Sequence, residues 1–498
     1  MKKIIGRNVL GIMLIWSMTA VAQSPNTVVK DNIAYKADYS GRASVVSSPK
    51  ARGEVTILDK ITIDKRELKV TYISDKAFKG NENITGITLP STIETIGDNA
   101  FLMCRNLKKV NIPESVRRIG SQAFRQTAVP ADSNGLLYVD NWLVGCGFVE
   151  TDSPQGNGKK VVMMMEPMGD LEVKEGTVGI AMGAFDYCEQ ITSLVIPASV
   201  TKISFPIARG CKSLATIAVH QDNTSFDSRN NCNAIIDSKD NKLMTGCRTT
   251  IIPNGVVGIA EKAFDTCTGL TSIVFPSTLK SIGNLAFNNC VNLKEFNIPE
   301  SVTDVHNATF ANTGWYKAQT SSLVCKDGWL LGWKDHKPSG KMIVPEGIRH
   351  IASNSFVKCS ELKEVVVPAG LQRIGWNAFL MCDNLKEIVI PEGVKIIAGN
   401  AFAYCSNLKK VNIPVSVENV GLNSFQHSAW YTKLSDGVVY LDGWLLGYKN
   451  KKPKGKLTIK NGTKHISNAA FNGCNELTSV VIPPTVTTIE EYAFYNCI

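Results

Sequence analysis

The chain has 498 residues, is 44% hydrophobic and 20% charged, and carries a formal net charge of +10. Residues 1–22 contribute +3 through Lys2, Lys3 and Arg7 and hold no acid, so the remainder carries +7. This mildly basic balance favours an acidic partner without identifying one, and no specific nucleic-acid partner is expected. Beyond residue 22 no apolar run approaches the roughly 20 residues of a membrane span, so no transmembrane segment is expected once residues 1–22 are removed.

Residues 1–22 are typical of a secretory signal peptide. The basic start is followed by an apolar run from Val9 to Val21 and by the small-x-small sequence Ala20-Val21-Ala22. A transmembrane anchor is the alternative, but the apolar run is shorter than about 20 residues. We therefore predict a secreted or cell-surface protein whose signal peptide is cleaved near Ala22-Gln23.

Residues 23–68 alternate polar and apolar side chains in short stretches, as in Asn32–Lys36 and Leu68–Tyr72. Alternation with a period of two indicates β-strands. We predict an N-terminal β cap over 23–68, because a repeat array must cover the core face of its first repeat.

A repeat of 23 residues, called a coil here, fills residues 69–498. Its phenylalanines are Phe78, Phe101, Phe124, Phe185, Phe264, Phe287, Phe310, Phe356, Phe379, Phe402, Phe425, Phe471 and Phe494. A degenerate coil passes through Ala208. A fixed period of this length indicates a solenoid. The predicted fold class is a β-rich repeat solenoid of 23-residue coils with parallel β-sheet and little helix.

Within a coil, the apolar positions follow the alternation of a strand. In the coil that contains Leu107, Val110 and Ile112, these three side chains should face the core while the lysines between them face solvent. Pro113 ends the strand because it cannot donate a hydrogen bond to a neighbour.

Ten of the fourteen cysteines occupy one position of the coil, three residues after the phenylalanine position, called the cysteine slot here. They are Cys104, Cys188, Cys211, Cys267, Cys290, Cys359, Cys382, Cys405, Cys474 and Cys497. We predict that they are buried as small apolar residues. Disulfides between neighbouring coils would need demanding geometry, and no CxxC or His–Cys spacing favours zinc.

Four segments interrupt the period near residues 131–172, 220–250, 314–345 and 429–459, and are called islands here. Turn sequences such as Asp327-Gly328 and Asp442-Gly443 predict tight β-hairpins. Trp315 and Trp430 are 115 residues apart, which is five coil lengths, so the hairpins should stack within the solenoid.

The second island leaves two alternatives open for Cys232 and Cys247. A turn centred on Lys239-Asp240 would place the two cysteines opposite each other and permit a disulfide. A turn centred on Asp240-Asn241 would not.

The Leu107-x-x-Val110-x-Ile112 pattern matches the core of leucine-rich repeats, although Ser115 stands where those repeats usually have Asn. The Pro, Ile-Gly-x-x-Ala-Phe and Cys positions resemble the BspA-like (LRR type 5) family of bacterial leucine-rich repeat proteins, and so does the segment 227–236. This resemblance implies an exported surface protein of a host-associated bacterium that functions in adhesion to host extracellular-matrix proteins and in coaggregation.

The sequence contains no pattern typical of catalysis. None of its six histidines forms HExxH or a close pair with an acid, and neither GxSxG nor a phosphate-binding glycine loop is found. His350 and His465 are expected to face solvent. We therefore predict no enzyme activity, no cofactor and no metal site.

The candidate partner-binding residues lie in the third and fourth islands: Trp315, Tyr316, Trp329, Trp333, Trp430, Tyr431, Trp444, Tyr448, Lys451, Lys452 and Lys454. The aromatic residues either fill a wider core or form contact patches, since Trp and Tyr dominate interface energetics. The lysines form either a solvated turn or a polyanion contact.

These residues support three functional hypotheses. The first is an adhesin that binds proteins, and the second is a glycan- or polyanion-binding module. The chain ends at Ile498, before the Leu of its last coil, and the third hypothesis is a structural spacer whose C-terminal partner-binding part lies beyond that residue.

Overall fold

The computed structural model describes residues 27–38, 40–152 and 160–497. The predicted signal peptide and its cleavage site lie outside these residues. The chain divides into two compact units, Met1–Val129 and Pro130–Ile498.

The strands of the first unit are β1 (Thr27–Lys30), β2 (Ile33–Ala37), β3 (Ala43–Val45), β4 (Gly53–Thr56), β5 (Lys60–Ile63), β6 (Arg66–Ile73), β7 (Ile84–Thr88), β8 (Thr95–Ile96), β9 (Lys109–Val110) and β10 (Arg118–Ile119).

The strands of the second unit are β11 (Leu136–Val139), β12 (Trp142–Cys146), β13 (Phe148–Asp152), β14 (Lys160–Met164), β15 (Gly169–Glu172), β16 (Gly179–Ile180), β17 (Ile191–Ile196), β18 (Lys202–Ile203), β19 (Thr216–Val219), β20 (Phe226–Asp227), β21 (Ala234–Asp237), β22 (Lys242–Gly246), β23 (Gly258–Ile259), β24 (Ser281–Ile282), β25 (Asp304–Val305), β26 (Leu323–Lys326), β27 (Trp329–Trp333), β28 (Gly340–Ile343), β29 (His350–Ile351), β30 (Leu362–Val366), β31 (Arg373–Ile374), β32 (Glu387–Ile388), β33 (Ile396–Ile397), β34 (Asn419–Val420), β35 (Gly437–Leu441), β36 (Trp444–Lys449), β37 (Gly455–Thr458), β38 (His465–Ile466), β39 (Leu477–Val481) and β40 (Thr488–Ile489). Its helices are the single turns α1 (Gly314–Lys317) and α2 (Ala429–Thr432), with a short 3-10 turn at Arg229–Asn231.

Successive coils stack through two sets of short parallel strands. In one set, β7 pairs in parallel with β4 and β9, and Ile87 lies opposite Val110. In the other, β8 pairs in parallel with β6 and β10, and Ile96 lies opposite Ile119. Both isoleucines at the centre of these sets are buried. The predicted solenoid with parallel sheet and little helix is confirmed.

Strands β1, β2 and β3 form an antiparallel meander, and β5 pairs with β6 as an antiparallel hairpin. Strand β3 then pairs in parallel with β6. Strand β4 also pairs in parallel with β7, so parallel pairing already reaches residue 53, inside the segment predicted as a cap.

The phenylalanines form columns of stacked rings. From Phe356 through Phe379 and Phe402 to Phe425, the ring centroids are 5.3, 5.4 and 5.5 Å apart and the planes differ by 11° or less. Each ring therefore packs on the ring of the next coil, within the range that favours aromatic pairs. Where Ala208 replaces phenylalanine, it lines a small pocket of only about 10 Å³.

The cysteine slot joins neighbouring coils. Eight of its ten cysteines are buried, which confirms the predicted burial for these eight. Cys267 and Cys497 are half-buried, so for them the prediction of burial is wrong. The thiol of Cys382 donates to the carbonyl of Phe356 in the preceding coil at 3.1 Å, and Cys405 donates to Phe379 at 3.1 Å. All fourteen cysteines are free thiols.

The second island resolves the two alternatives for its cysteines. The turn is centred on Lys239-Asp240, between the paired Asp237 and Lys242, which is the alternative expected to permit a disulfide. A register shift between Ile235 and Ile236, however, moves Cys232 away from the position opposite Cys247. Cys247 consequently donates to the carbonyl of Asn233 at 3.3 Å, and the structure contains no Cys232–Cys247 disulfide.

Hairpins of the third and fourth islands stack in register, as predicted. Trp329 of β27 pairs in parallel with His350, and Trp444 of β36 pairs in the same way with His465. Strands β28 and β37, which follow the hairpins, pair in parallel with β30 and β39. Each of these islands therefore supplies one strand to each of the two sets of parallel strands.

The carboxylates of the hairpin turns bond to the preceding coil. Asp327 Oδ2 accepts from the Ile298 amide at 2.8 Å, and Asp442 Oδ2 accepts from the Ile413 amide at 2.8 Å. Both aspartates have positive φ, 48° and 45°, as does the glycine after each, which matches a type I′ turn.

Candidate functional site

The two largest candidate side chains are in the core. Trp329 and Trp444 are each only 2% exposed. Their rings stack on His350 and His465, with centroids 4.6 and 4.4 Å apart. Neither tryptophan can contact a partner while the coils remain folded, because the hairpin turns them towards the core.

The stacked histidines are half-buried, which corrects the expectation that they face solvent. His350 Nδ1 is buried and accepts or donates no hydrogen bond among the described residues. Burial lowers the pKa of His350 to about 4, with further contributions from the charges of Arg349 and Arg373. His465 Nδ1 lies 2.6 Å from the hydroxyl of Thr488.

Trp315 and Trp430 lie on the one-turn helices and are half-buried. Trp315 packs edge-to-face against Phe296 and Phe310, with centroids 5.2 and 6.2 Å away. Trp430 packs against Phe425 at 6.0 Å. Both rings therefore cover the end of a phenylalanine column.

Serine or threonine in the cysteine slot begins each of these helices. Thr313 accepts from the Tyr316 amide at 3.1 Å, and Ser428 accepts from the Tyr431 amide at 3.1 Å. Side-chain oxygens of this kind are strong helix N-caps. The change from Cys to Thr or Ser is the sequence signal for α1 and α2, which the 23-residue pattern alone did not predict.

Two tyrosine hydroxyls form hydrogen bonds between the one-turn helices and the hairpins of the same islands. The hydroxyl of Tyr316 donates to the carbonyl of Trp333 at 3.2 Å, and that of Tyr431 donates to the carbonyl of Tyr448 at 3.1 Å. Lys449 lies 5.8 Å from the centre of the Tyr431 ring and donates to the carbonyl of Thr432 at 2.7 Å. Trp333 and Tyr448 are half-buried, so each of these four aromatic residues keeps one accessible edge.

The three candidate lysines are exposed. The ammonium of Lys452 donates to the carbonyl of Gly473 at 3.2 Å, and that of Lys454 pairs with Glu476 at 2.7 Å. The Lys451 ammonium pairs with no carboxylate among the described residues. The loop thus offers one free cation and two that already have partners.

One exposed tryptophan was missed by the sequence analysis. Trp376 is 44% exposed, the highest value for any tryptophan in the described part of the chain. Its ring covers Gly399, where an added Cβ would come within 2.2 Å of the ring. In the sequence, this residue could have been recognised as a Trp at a coil position where the preceding and following coils have Ser353 and Gly399.

Exposed β-branched residues recur at one outward-facing position of the coil. Val274 and Val389 are 75% and 74% exposed, and Val366 and Val481 are exposed as well. Val366 and Val481 end strands β30 and β39, whereas Val274 and Val389 lie at the same coil position outside a strand. These four residues are called the apolar outer ridge here.

The basic charge is concentrated in the first unit. Residues 27–129 hold 17 Lys and Arg against 11 Asp and Glu, a net +6, whereas residues 130–498 hold 34 against 33, a net +1. An open groove of about 390 Å³ in this unit is lined by Arg42, Lys69 and Arg117 together with Glu67 and Glu94. Arg42 pairs with Glu94 at 3.2 Å, while Lys69 and Arg117 form no ion pair within the described residues.

The described residues contain no cluster of three or more His, Cys, Asp or Glu side chains arranged to hold a metal ion. Within the same residues, no helix has the length and apolar character needed to cross a membrane.

A family model described as a BspA type leucine rich repeat region matches the chain in six copies, over residues 54–130, 165–239, 240–324, 336–435 and 448–498. No curated protein matches the chain.

Several solved structures also resemble the chain. A leucine rich cell surface protein from Faecalibacterium prausnitzii is 22% identical over 83% of this chain and 94% of that chain, with a TM-score of 0.26. A leucine-rich repeat protein from Bacteroides ovatus is 21% identical over 95% and 92%, with a TM-score of 0.23. The pneumococcal vaccine antigen PcpA is 17% identical over 95% and 88%, with a TM-score of 0.26.

At these identities and TM-scores the solved structures bear on neither the ligand nor the activity of this chain. The family model, in contrast, matches well over half of the chain, in segments that contain the stacked coils and the cysteine slot. The chain therefore belongs to the family of BspA-type leucine-rich repeat proteins.

Proposed function

We propose that the chain is an exported cell-surface protein that binds macromolecules, as an adhesin for host extracellular-matrix proteins or for other cells. The observation that carries the proposal is the apolar outer ridge, in which Val274 and Val389 are about three-quarters exposed. Exposed apolar residues on a regular sheet are typical of protein-docking surfaces. Trp376 adds an exposed aromatic side chain of the type that dominates interface energetics.

Binding of the mature chain, from residue 23, to immobilised matrix proteins tests this proposal. We expect saturable binding to at least one protein of the panel. The variants Val389→Lys and Trp376→Ala should each raise the dissociation constant by about tenfold or more if the residue is a central contact. Val415→Lys serves as the matched control, because Val415 is an exposed valine outside the ridge. Absence of binding across the panel would contradict the adhesin proposal.

Export is tested independently of any ligand. Expression of the full chain in a bacterial host, followed by N-terminal mass spectrometry of the surface and secreted fractions, should yield a chain that begins at Gln23. Retention of Met1 in the cell interior would exclude export.

A second candidate is binding of a polyanion such as a sulfated glycan. It is favoured by the net charge of +6 in residues 27–129 and by the unpaired cations Lys69 and Arg117 at the groove. Charge attraction of this kind is weakened by salt. We expect Lys69→Ala/Arg117→Ala to weaken binding to a sulfated glycosaminoglycan more than Lys451→Ala/Lys452→Ala/Lys454→Ala does. Binding that is unaffected by 0.5 M salt or by both variants would eliminate this candidate.

A further inference from the structure

Cys146 and Cys188 bring two thiols into direct contact. Their Sγ atoms are 3.1 Å apart, and both residues are buried, Cys146 at 7% and Cys188 at 0% exposure. No other two cysteine sulfurs among the described residues make such a contact.

The interruption of the coil pattern explains this contact. In regular coils a slot cysteine donates to the phenylalanine carbonyl of the preceding coil, as Cys211 donates to Phe185 at 3.0 Å. Cys188 belongs to the first coil after the first island, so no regular coil precedes it. The end of strand β12 takes that place and carries Cys146.

Comparison of the islands shows that a cysteine at this hairpin position is particular to the first. Trp142, Trp329 and Trp444 occupy equivalent places, each paired in parallel with the strand of the next coil. The residue four positions later is Cys146 in the first island, but Trp333 and Tyr448 in the third and fourth. In the second island the equivalent residue is Gly246, and the following Cys247 lines a pocket with Cys211 and Cys267 but donates to backbone carbonyls instead of contacting another sulfur. Among the described islands, only the first therefore carries a cysteine at this hairpin position.

We propose that Cys146 and Cys188 form a disulfide in the exported protein. A disulfide bond is about 2.05 Å long, so the sulfurs need to approach by about 1 Å. Cys146 ends β12, which pairs in parallel with β16 through Trp142 and Leu143, and the Cys188 amide donates to the carbonyl of Phe185 at 3.1 Å, so both backbones are held by hydrogen bonds. Small side-chain rotations can therefore close the bond while the strand register is retained.

The oxidant is an external disulfide, such as glutathione disulfide or the disulfide of an oxidoreductase. The Cys146 thiolate attacks one sulfur of the external disulfide and releases one thiolate, giving a mixed disulfide. The Cys188 thiolate then attacks the Cys146 sulfur and releases the second. The two cysteines lose two protons and two electrons in total, and one external disulfide is reduced to two thiols.

Burial and the neighbouring thiol of Cys146 raise the pKa of Cys188. Exchange is consequently slow in the folded chain, because the thiolate is the reactive form. We expect the bond to form during folding, while the thiols are still accessible. This inference rests on the proposed export, since disulfides persist in oxidising compartments.

Oxidative refolding of the purified mature chain tests the bond without requiring export. The reduced, unfolded chain is refolded with glutathione disulfide and then unfolded in denaturant without reductant. Its remaining thiols are alkylated there, and the protein is digested without reduction. Mass spectrometry should find the Cys146 and Cys188 peptides linked, at a mass two hydrogens below their sum. Cys382 and Cys405, whose thiols donate to carbonyls, serve as the internal control and should be alkylated.

Alkylation of both Cys146 and Cys188 in the refolded wild-type chain would overturn the proposal. A second measurement compares thermal unfolding of the oxidised chain with and without dithiothreitol. The reductant should lower the Tm of the wild type and leave that of Cys146→Ala unchanged. An equal reductant effect on both proteins would also count against the bond. A failure of export would appear separately, in the cell fractions.

Discussion

His350 and His465 show how one residue type couples an island to the next coil. Each imidazole covers the face of a buried tryptophan and is itself half-buried. Burial lowers the pKa of both histidines because it disfavours the charged form. For His350 the pKa is lowered to about 4, below the usual value near 6.5. The unfolded chain therefore binds a proton more readily than the folded chain between these two values.

The sign of the pH dependence follows from that difference. The contribution of His350 to stability is fully present above pH 6.5 and is lost as the pH falls from 6.5 to about 4. Because His350 is only half-buried, we expect a loss of about 1–2 kcal/mol. In His350→Phe, which keeps the stack but cannot be protonated, the difference in Tm between pH 7.5 and pH 4.5 should be smaller than in the wild type.

His336→Phe is the control for this measurement, because His336 is exposed and forms no ion pair among the described residues. It should retain the wild-type pH dependence. A His350→Phe chain with the wild-type pH dependence would show that protonation of His350 does not limit stability.

At the scale of elements, the hairpin turn of the fourth island has two structural roles. Asp442 adopts the positive φ of a type I′ turn, and its carboxylate also accepts from the Ile413 amide of the coil below. In regular coils an asparagine makes the same bond, as Asn412 Oδ1 does with the Ile390 amide at 3.0 Å. The islands thus keep a hydrogen bond of the repeat while they replace its backbone.

We expect Asp442→Gly to destabilise this region by about 1–3 kcal/mol, because it leaves the Ile413 amide without its partner while glycine still tolerates the turn. Asp442→Asn should be nearly neutral, since asparagine supplies an equivalent oxygen. Hydrogen exchange at the Ile413 amide measures the effect directly. Equal protection in the Gly and Asn variants would show that the carboxylate bond contributes nothing.

The period, the parallel sheets, the hairpins and the in-register islands could all be predicted, because each leaves a fixed spacing or a turn sequence. Core filling was one of the two alternatives for Trp329, and the structure buries this side chain. The sequence could not decide between them, because a one-residue slip in strand register moves a side chain to the other face. The helices α1 and α2 were missed because four residues are too short to show helical periodicity.

At the scale of the whole molecule, stability should be local. Each coil contacts chiefly its neighbours, and in such arrays stability is a sum of repeat and interface contributions. We expect Phe101→Ala, which removes a ring stacked on both Phe78 and Phe124, to cost about 3–5 kcal/mol in the first unit. Hydrogen exchange across residues 371–425 should be unchanged.

Phe379→Ala is the reciprocal variant. It should increase the rate of amide hydrogen exchange in the coils around residue 379, while the amides of the first unit keep their protection. A uniform loss of protection along the chain in either variant would indicate a single cooperative transition instead.

The equivalence of the third and fourth islands has a genetic consequence. Thr313 and Ser428, Trp315 and Trp430, and Trp329 and Trp444 are each 115 residues apart and make the same contacts. Deletion of residues 316–430 would join Trp315 to Tyr431, so that Thr313 would cap a helix turn that keeps the Trp-Tyr pair and has Thr432 in place of Lys317. Recombination between the two copies could therefore shorten or lengthen the array by whole blocks, with every hairpin and cap rebuilt at the junction.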